Sequence, residues 1–173
     1  LYKAMNNYEL AEQHYKKALR LDYGDPAIHN NYGVFLCDRK RYEEAEKQFL
    51  QATKISTYRR PDEAYENAGL CALRIPDARR AEEYFRKALE INPMRPNALY
   101  QMALLTFNAQ QPLQARAFLQ RYAAFAPSTP QTLWLSYRVE RALGNPAEAE
   151  QYAQELRTIF PKSEEAGELR LAK

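Results

Sequence analysis

Glycine is scarce, at 5 of 173 residues, and no stretch alternates strictly between apolar and polar side chains for long. Both absences speak against β-strands, which need turn glycines and a side-chain period of two. No apolar run reaches the roughly 18 residues that mark a membrane-crossing helix, and no basic-then-apolar leader opens the chain. The chain begins at Leu1 in the middle of a pattern set out below, so a segment upstream is expected. A dominant charge sign is missing too. The 25 basic and 22 acidic residues give a formal +3 and are interspersed, the pattern of a solvated helical surface. Arg59-Arg60 and Arg79-Arg80, with Tyr58 and Tyr84 nearby, are the densest basic pairs. They read as solubility and helix pairing and not as a nucleic-acid stripe, which would gather its charge on one face. Nucleic acid is therefore not an expected partner.

The motifs of catalysis are absent as well. The sequence holds no glycine-rich phosphate loop, no C-x2-C pair, no H-E-x-x-H and no G-x-S-x-G. With 2 His and 2 Cys, a zinc site would need all four or help from carboxylates. His14 reads as a surface residue of a helix and His29 as a packing residue. Glu43-Glu44, Glu82-Glu83 and Glu164-Glu165 stand at expected helix starts, where the helix dipole favours acids, and need no catalytic explanation. The expectation is a non-enzyme with no catalytic residues, no metal and no cofactor. Cys37 and Cys71 lie inside apolar helical stretches. They read as buried free thiols in preference to a disulfide, because free Cys packs like a small hydrophobe. On that reading cysteine usage leaves the compartment open.

What the chain does have is a repeat. Ala45, Ala81, Ala115 and Ala149 are spaced by 36, 34 and 34 residues, and a step of 34 back from Ala45 reaches Ala11. Four positions after these alanines stand Tyr15, Phe49, Phe85 and Leu119, and seven after them Ala18, Ala52 and Ala88. Twelve before them, Gly33 and Gly69 mark the small-residue site of a preceding helix; twelve after them, Pro93, Pro127 and Pro161 close the repeat. Steps of three and four gather Ala45, Phe49 and Ala52 on one helix face, where the alanines allow close approach and the aromatic ring fills the space left by Gly33. Proline cannot sit in a helix interior, so it ends one repeat, while Pro26, Pro96 and Pro130 suit the first turn of the next. This is the A-x3-F-x2-A signature and period of the tetratricopeptide repeat, TPR.

The fold class expected is all-α, a right-handed superhelical solenoid of TPR helix-turn-helix repeats with a C-terminal capping helix. The chain reads as a single TPR domain, 1–173, with a partial repeat 1–25, repeats 26–61, 62–95, 96–129 and 130–163, and a capping helix 163–173. First helices are predicted near 27–38, 62–74, 97–109 and 131–143, and second helices near 8–22, 42–55, 77–91, 112–125 and 146–159. Residues 1–5 would be the tail of an interrupted first helix, with Tyr2 at the motif's tyrosine position. The 36-residue step predicts a longer connector around Ser56–Arg60, and Ser163 should cap the last helix. Gly33, Ala45, Phe49, Gly69, Ala81, Phe85, Ala115 and Ala149 are the residues expected to pack the repeats.

In such a solenoid the first helices line a groove, and their residues off the packing positions are candidates for binding. The candidates are Asn30, Glu66, Tyr100, Leu104, Phe107, Trp134, Arg138 and Arg141. The groove is thus polar and partly acidic in its N-terminal half and aromatic and basic in its C-terminal half. Aromatics beside arginine are the residue types that anchor protein interfaces. A carboxylate clamp of the chaperone-binding kind would carry Lys and Asn where this chain has Asn30, Val34, Glu66 and Leu70, so it is disfavoured.

Several stretches resemble a narrower family. They are Asn30-Asn31-Tyr32-Gly33-x-Phe35-Leu36 followed by Tyr42-Glu43-Glu44-Ala45, then Glu66-Asn67-x-Gly69-Leu70, Leu133-Trp134-Leu135-x-x-Arg138-x-Glu140, and Phe160-Pro161-Lys162-Ser163. Over about residues 26–165 the chain is similar to the TPR lipoproteins of type IV pilus biogenesis, the pilotins of the outer-membrane secretin. The resemblance implies a six-repeat protein of the Gram-negative periplasm, held at the inner leaflet of the outer membrane by a lipidated cysteine that is not in this chain. It implies the pilus secretin subunit as partner and a role in localising and multimerising it. The competing expectations are a soluble TPR adaptor or co-chaperone that binds a peptide in the cytoplasm, and a regulatory arm of a larger enzyme.

Overall fold

The computed structural model describes residues 7–75 and 77–171. Ten α-helices run through them: α1 (Tyr8–Leu21), α2 (Pro26–Asp38), α3 (Tyr42–Lys54), α4 (Pro61–Ala72), α5 (Ala78–Ile91), α6 (Pro96–Asn108), α7 (Pro112–Ala123), α8 (Pro130–Ala142), α9 (Pro146–Ile159) and α10 (Glu164–Leu171). The described residues contain no strand. The all-helical fold and the helix-turn-helix order predicted from the alanine register hold, with ends displaced by no more than a residue or two. The expected tail helix over residues 1–5, with Tyr2, lies outside the described residues, as do the last two residues of the capping segment.

Local chemistry explains the boundaries. Proline opens α2, α4, α6, α7, α8 and α9, where its missing N–H would have had no helical partner. Asp25, Asp77 and Thr129 accept backbone N–H groups of the first turns, and Thr129 forms a reciprocal capping box with Thr132. Ser163 Oγ accepts from the Ala166 N–H, 3.1 Å away, at the start of α10. Three of the turns between paired helices are built alike. Arg41, Gln111 and Asn145 each return an N–H to the carbonyl five residues back, while Lys40, Gln110 and Gly144 take positive φ of 62°, 60° and 77°. That is the Schellman ending, in which one left-handed residue reverses the chain. The connector from Ile55 to Arg60 carries the two extra residues of the long repeat.

The chain divides into two compact units, one ending at Asn92 and the other beginning at Pro93. In the first unit, α2 pairs with α3 and α4 with α5. Ala45, Ala52, Ala81 and Ala88 are fully buried, and Phe49 and Phe85 are buried with them. A Cβ placed on Gly33 would lie 2.6 Å from Phe49 Cε1, and one on Gly69 2.7 Å from Phe85 Cε1, so neither glycine has room for a side chain. In the second unit, α6 pairs with α7 and α8 with α9, and α10 packs on α8 and α9. Here Ala103 shares a core with Ala115, Leu119, Leu135 and Val139. A second cluster joins Leu133, Ala153 and Leu156 to Ala166 and Leu169 of α10. Along the register the residue on the first helix and the residue facing it on the second are therefore Gly33 with Phe49, Gly69 with Phe85, and Ala103 with Leu119. In the last repeat the sizes invert: Tyr137 stands on α8 and packs against the cluster that contains Ala153.

One reading of the sequence is corrected. Cys37 and Cys71 are joined in a disulfide, with Cα atoms 5.9 Å apart and a sequence separation of 34, so they are not free thiols. The physical reason is that α2 and α4 touch directly, which brings two buried sulfurs within bridging range. The bridge closes one repeat upon the next. Near it Arg74 donates to Asp38 Oδ1 at 3.0 Å, and Asn67 donates to Asn30 Oδ1 at 3.0 Å.

Candidate protein-binding site

The two first helices of the second unit present an unusual surface composition. From Pro96 to Asn108, α6 carries no charged residue, and α8 carries Arg138, Glu140 and Arg141. Glu140 is buried and committed elsewhere: Arg116 of α7 donates to it at 3.3 Å and Asn145 Nδ2 at 2.7 Å. The charges these helices offer to solvent are thus two guanidiniums.

Spacing puts Tyr100, Leu104 and Phe107 on one face of α6, and Trp134, Arg138 and Arg141 on one face of α8. The structure brings these six residues into one neighbourhood. Tyr100, Leu104 and Phe107 are half-buried against the Ala103–Leu135–Val139 core, which anchors their inner edges and leaves the outer ones in water. Trp134 is half-buried against the cluster that includes α10. Its indole stacks on Tyr137 with centroids 5.3 Å apart and planes 14° apart. The Arg138 guanidinium lies 4.8 Å from the centroid of Phe107, and that of Arg141 lies 6.0 Å from the centroid of Tyr137. Burial raises the Tyr100 hydroxyl above its ordinary pKa of 10.0, Glu165 of α10 raises it further and Arg138 opposes them, so all three share one electrostatic environment. Among the described residues neither Arg138 nor Arg141 has a carboxylate within 4.0 Å. Each cation rests on an aromatic face instead, an arrangement that holds a guanidinium in place without neutralising it.

The candidates of the first unit are placed differently. Asn30 and Glu66 are 5% and 4% exposed, so little of either side chain reaches a partner. His29 is buried too: its Nε2 lies 2.9 Å from the Tyr23 carbonyl oxygen and its Nδ1 2.7 Å from the Gln48 side chain, while His14 is exposed. No group of three or more His, Cys, Asp or Glu among the described residues could hold a metal ion. Sequence reasoning missed Tyr137. It stands where the earlier repeats have Gly33, Gly69 and Ala103, and that break in the small-residue pattern was the available signal.

Comparison with known proteins fits this architecture. A Tetratricopeptide repeat model matches residues 25–93 and a second one residues 1–25. The type IV pilus assembly protein PilF of Pseudomonas aeruginosa is 32% identical over 165 residues, 95% of this chain and 66% of PilF. A solved structure of P. aeruginosa PilF superposes with a TM-score of 0.86 at 30% identity, over 99% of this chain and 78% of that one. The chain is a TPR protein of the PilF and PilW family. PilW, described as a widely conserved type IV pilus biogenesis factor, gives a TM-score of 0.79 at 30% identity, over 95% of this chain and 76% of that one. YrrB, described as a TPR protein with an unusual peptide-binding site, shares the fold at 18% identity and a TM-score of 0.76, over 98% of this chain and 86% of that one. The chain spans about two thirds of the length of PilF, 66%. Within the PilF and PilW family it is a repeat scaffold, and no helix of its described residues is long and apolar enough to cross a membrane.

Proposed function

We propose that the protein is a pilotin: it holds a segment of the pilus secretin on the α6/α8 face and assists the secretin's localisation and multimerisation in the outer membrane. The observation that carries the reading is the half-buried aromatic surface with two unneutralised arginines, set in a relative of a pilus assembly protein. Aromatic rings give large contact area at low entropic cost, and with arginine they are the residues on which interfaces concentrate their binding energy.

The disulfide bears on place. Such bonds persist in oxidising compartments, the periplasm among them, and are rare in a reducing cytosol. Cys37–Cys71 therefore supports a periplasmic site of action over a cytoplasmic adaptor. Attachment to the inner leaflet of the outer membrane would come from a lipid-bearing segment outside this chain. Because this chain spans only part of PilF, the activity of the whole protein belongs to the same proposal.

The test is complementation. In a strain lacking the gene, the wild-type protein should restore secretin multimers in outer-membrane fractions, and Tyr100→Ala with Trp134→Ala should not, although its circular dichroism stays helical. Full multimers with the double variant would remove this face from the mechanism.

A further inference from the structure

We infer that the α6/α8 face selects an extended partner segment whose side-chain carboxylates lie beside apolar or aromatic residues. The inference rests on the reading that this face binds the partner, and it adds the chemistry of what is bound.

Charge complementarity carries it. Elsewhere many basic side chains meet a carboxylate: Arg41 meets Glu12 and Glu44, Arg80 meets Glu46 and Asp77, Arg116 meets Glu140, and Arg157 meets Glu150. Arg39, Lys87 and Arg121 also lie over rings, but singly and not as a pair on one helix face. Arg138 and Arg141 instead lie over Phe107 and Tyr137. The acid on their own helix, Glu140, is withdrawn into the interior by Arg116 and Asn145. On α10, Glu165 acts on Tyr100. The arginine pair thus keeps its capacity for bidentate carboxylate binding, in a setting that aromatic rings have partly dehydrated. A guanidinium on a ring presents its edge N–H groups outward, and the edge is what a carboxylate engages.

A chain-terminal carboxylate is a different target from a side-chain one. Two arginines three positions apart on one helix, each on its own ring, suit carboxylates spaced along a strand. The apolar side chains of such a strand would lie on Leu104, Tyr100 and Trp134.

Fluorescence anisotropy on the full chain tests this with short fluorescein-labelled peptides that share one framework of Leu and Phe. One carries Asp and Glu between the apolar residues, one the isosteric Asn and Gln, and each is made with a free and an amidated C-terminus. The acidic peptide should bind about tenfold more tightly than its Asn/Gln counterpart, a difference of about 1.4 kcal/mol. Amidating the C-terminus should change little, and raising salt from about 50 to about 500 mM should shrink the preference. Arg138→Gln with Arg141→Gln should abolish the preference, bringing the acidic and the neutral peptide to the same affinity. Equal binding of acidic and neutral peptides, or a preference that survives the arginine variant, overturns the acidic assignment. If secretin capture meanwhile still depends on Tyr100 and Trp134, the docking face itself stands. Failure of every peptide, together with undiminished secretin capture by the Tyr100 and Trp134 variant, overturns both.

Discussion

At the scale of single residues, one register position shows how the repeat both preserves and reverses its chemistry. The residue after each marker alanine is Glu12, Glu46, Glu82, Arg116 and Glu150. Glu12 binds Arg41 at 2.7 Å and Glu46 binds Arg80 at 3.2 Å, whereas Arg116 finds its acid in Glu140. Hydrogen bonding from Arg41, with lesser help from Lys16 and Tyr32, outweighs burial and pulls Glu12 down from 4.5 to about 2. Its folded pKa is depressed, so its contribution is complete above about 4.5 and is lost as pH falls towards 2. Glu12→Gln should therefore cost about 1–2 kcal/mol at pH 7, a figure reduced because Arg41 is partly exposed and screened. The gap to wild type in urea melts should close as pH drops through that window; a constant gap would refute the ion pair. Burial and Glu12 together push Tyr32 up from 10.0 to about 12, so its share is complete below 10.0 and is lost as pH rises towards 12. Gly33→Ala should destabilise by about 1–3 kcal/mol through overpacking, even though helix propensity returns about 1 kcal/mol. Gly167→Ala is the control. Its nearest neighbour would be Arg170 Nη2 at 3.9 Å, so the same exchange there should be neutral or mildly stabilising by thermal melt.

At the scale of elements, the helices were legible because small residues at fixed spacing set the faces and proline marks the starts of α2, α4, α6, α7, α8 and α9. The left-handed residues that end α2 and α6 were not legible, because Lys40 and Gln110 are not the glycine that such a position favours. The disulfide was not legible. The alanine register makes Leu73 the counterpart of Cys37 and sets Cys71 two positions short, so periodicity points the two thiols apart. Direct contact between α2 and α4 joins them all the same. By loop-closure entropy a bridge across 34 residues is worth about 3–4 kcal/mol. Reduction, or Cys37→Ala with Cys71→Ala, should lower the melting temperature and speed amide exchange in α2–α4. An unchanged melt in reductant would mean that the native helix packing alone holds these repeats. Tyr137 was hidden for a different reason: glycine marks the small-residue position only at Gly33 and Gly69, and that position loses its glycine at Ala103 before it turns aromatic at Tyr137.

At the scale of the whole molecule, stability and recognition are expected to separate by unit. The disulfide and both glycine–phenylalanine contacts belong to the first unit, and the aromatic-arginine face belongs to the second. Lesions such as Gly33→Leu should lower protein abundance while the surviving molecules still capture secretin. Tyr100→Ala with Trp134→Ala should leave abundance intact and abolish capture. Immunoblots of cell fractions beside pull-downs would resolve the two phenotypes, and identical profiles would contradict the division. The kinship to PilF and PilW was legible from a few motifs, but the acidic selectivity was not, because it depends on where Glu140 points and no pattern of spacing reveals that.

The inverted pair in the last repeat has a bearing on how such chains can be rearranged. Joining α8 to α5 would set Tyr137 against Phe85, two rings contending for one site; joining α4 to α9 would set Gly69 against Ala153 and leave a hole. Single helices are therefore not interchangeable parts. The smallest segment that can be duplicated, deleted or grafted between positions is the complete hairpin, which carries both halves of its own lock.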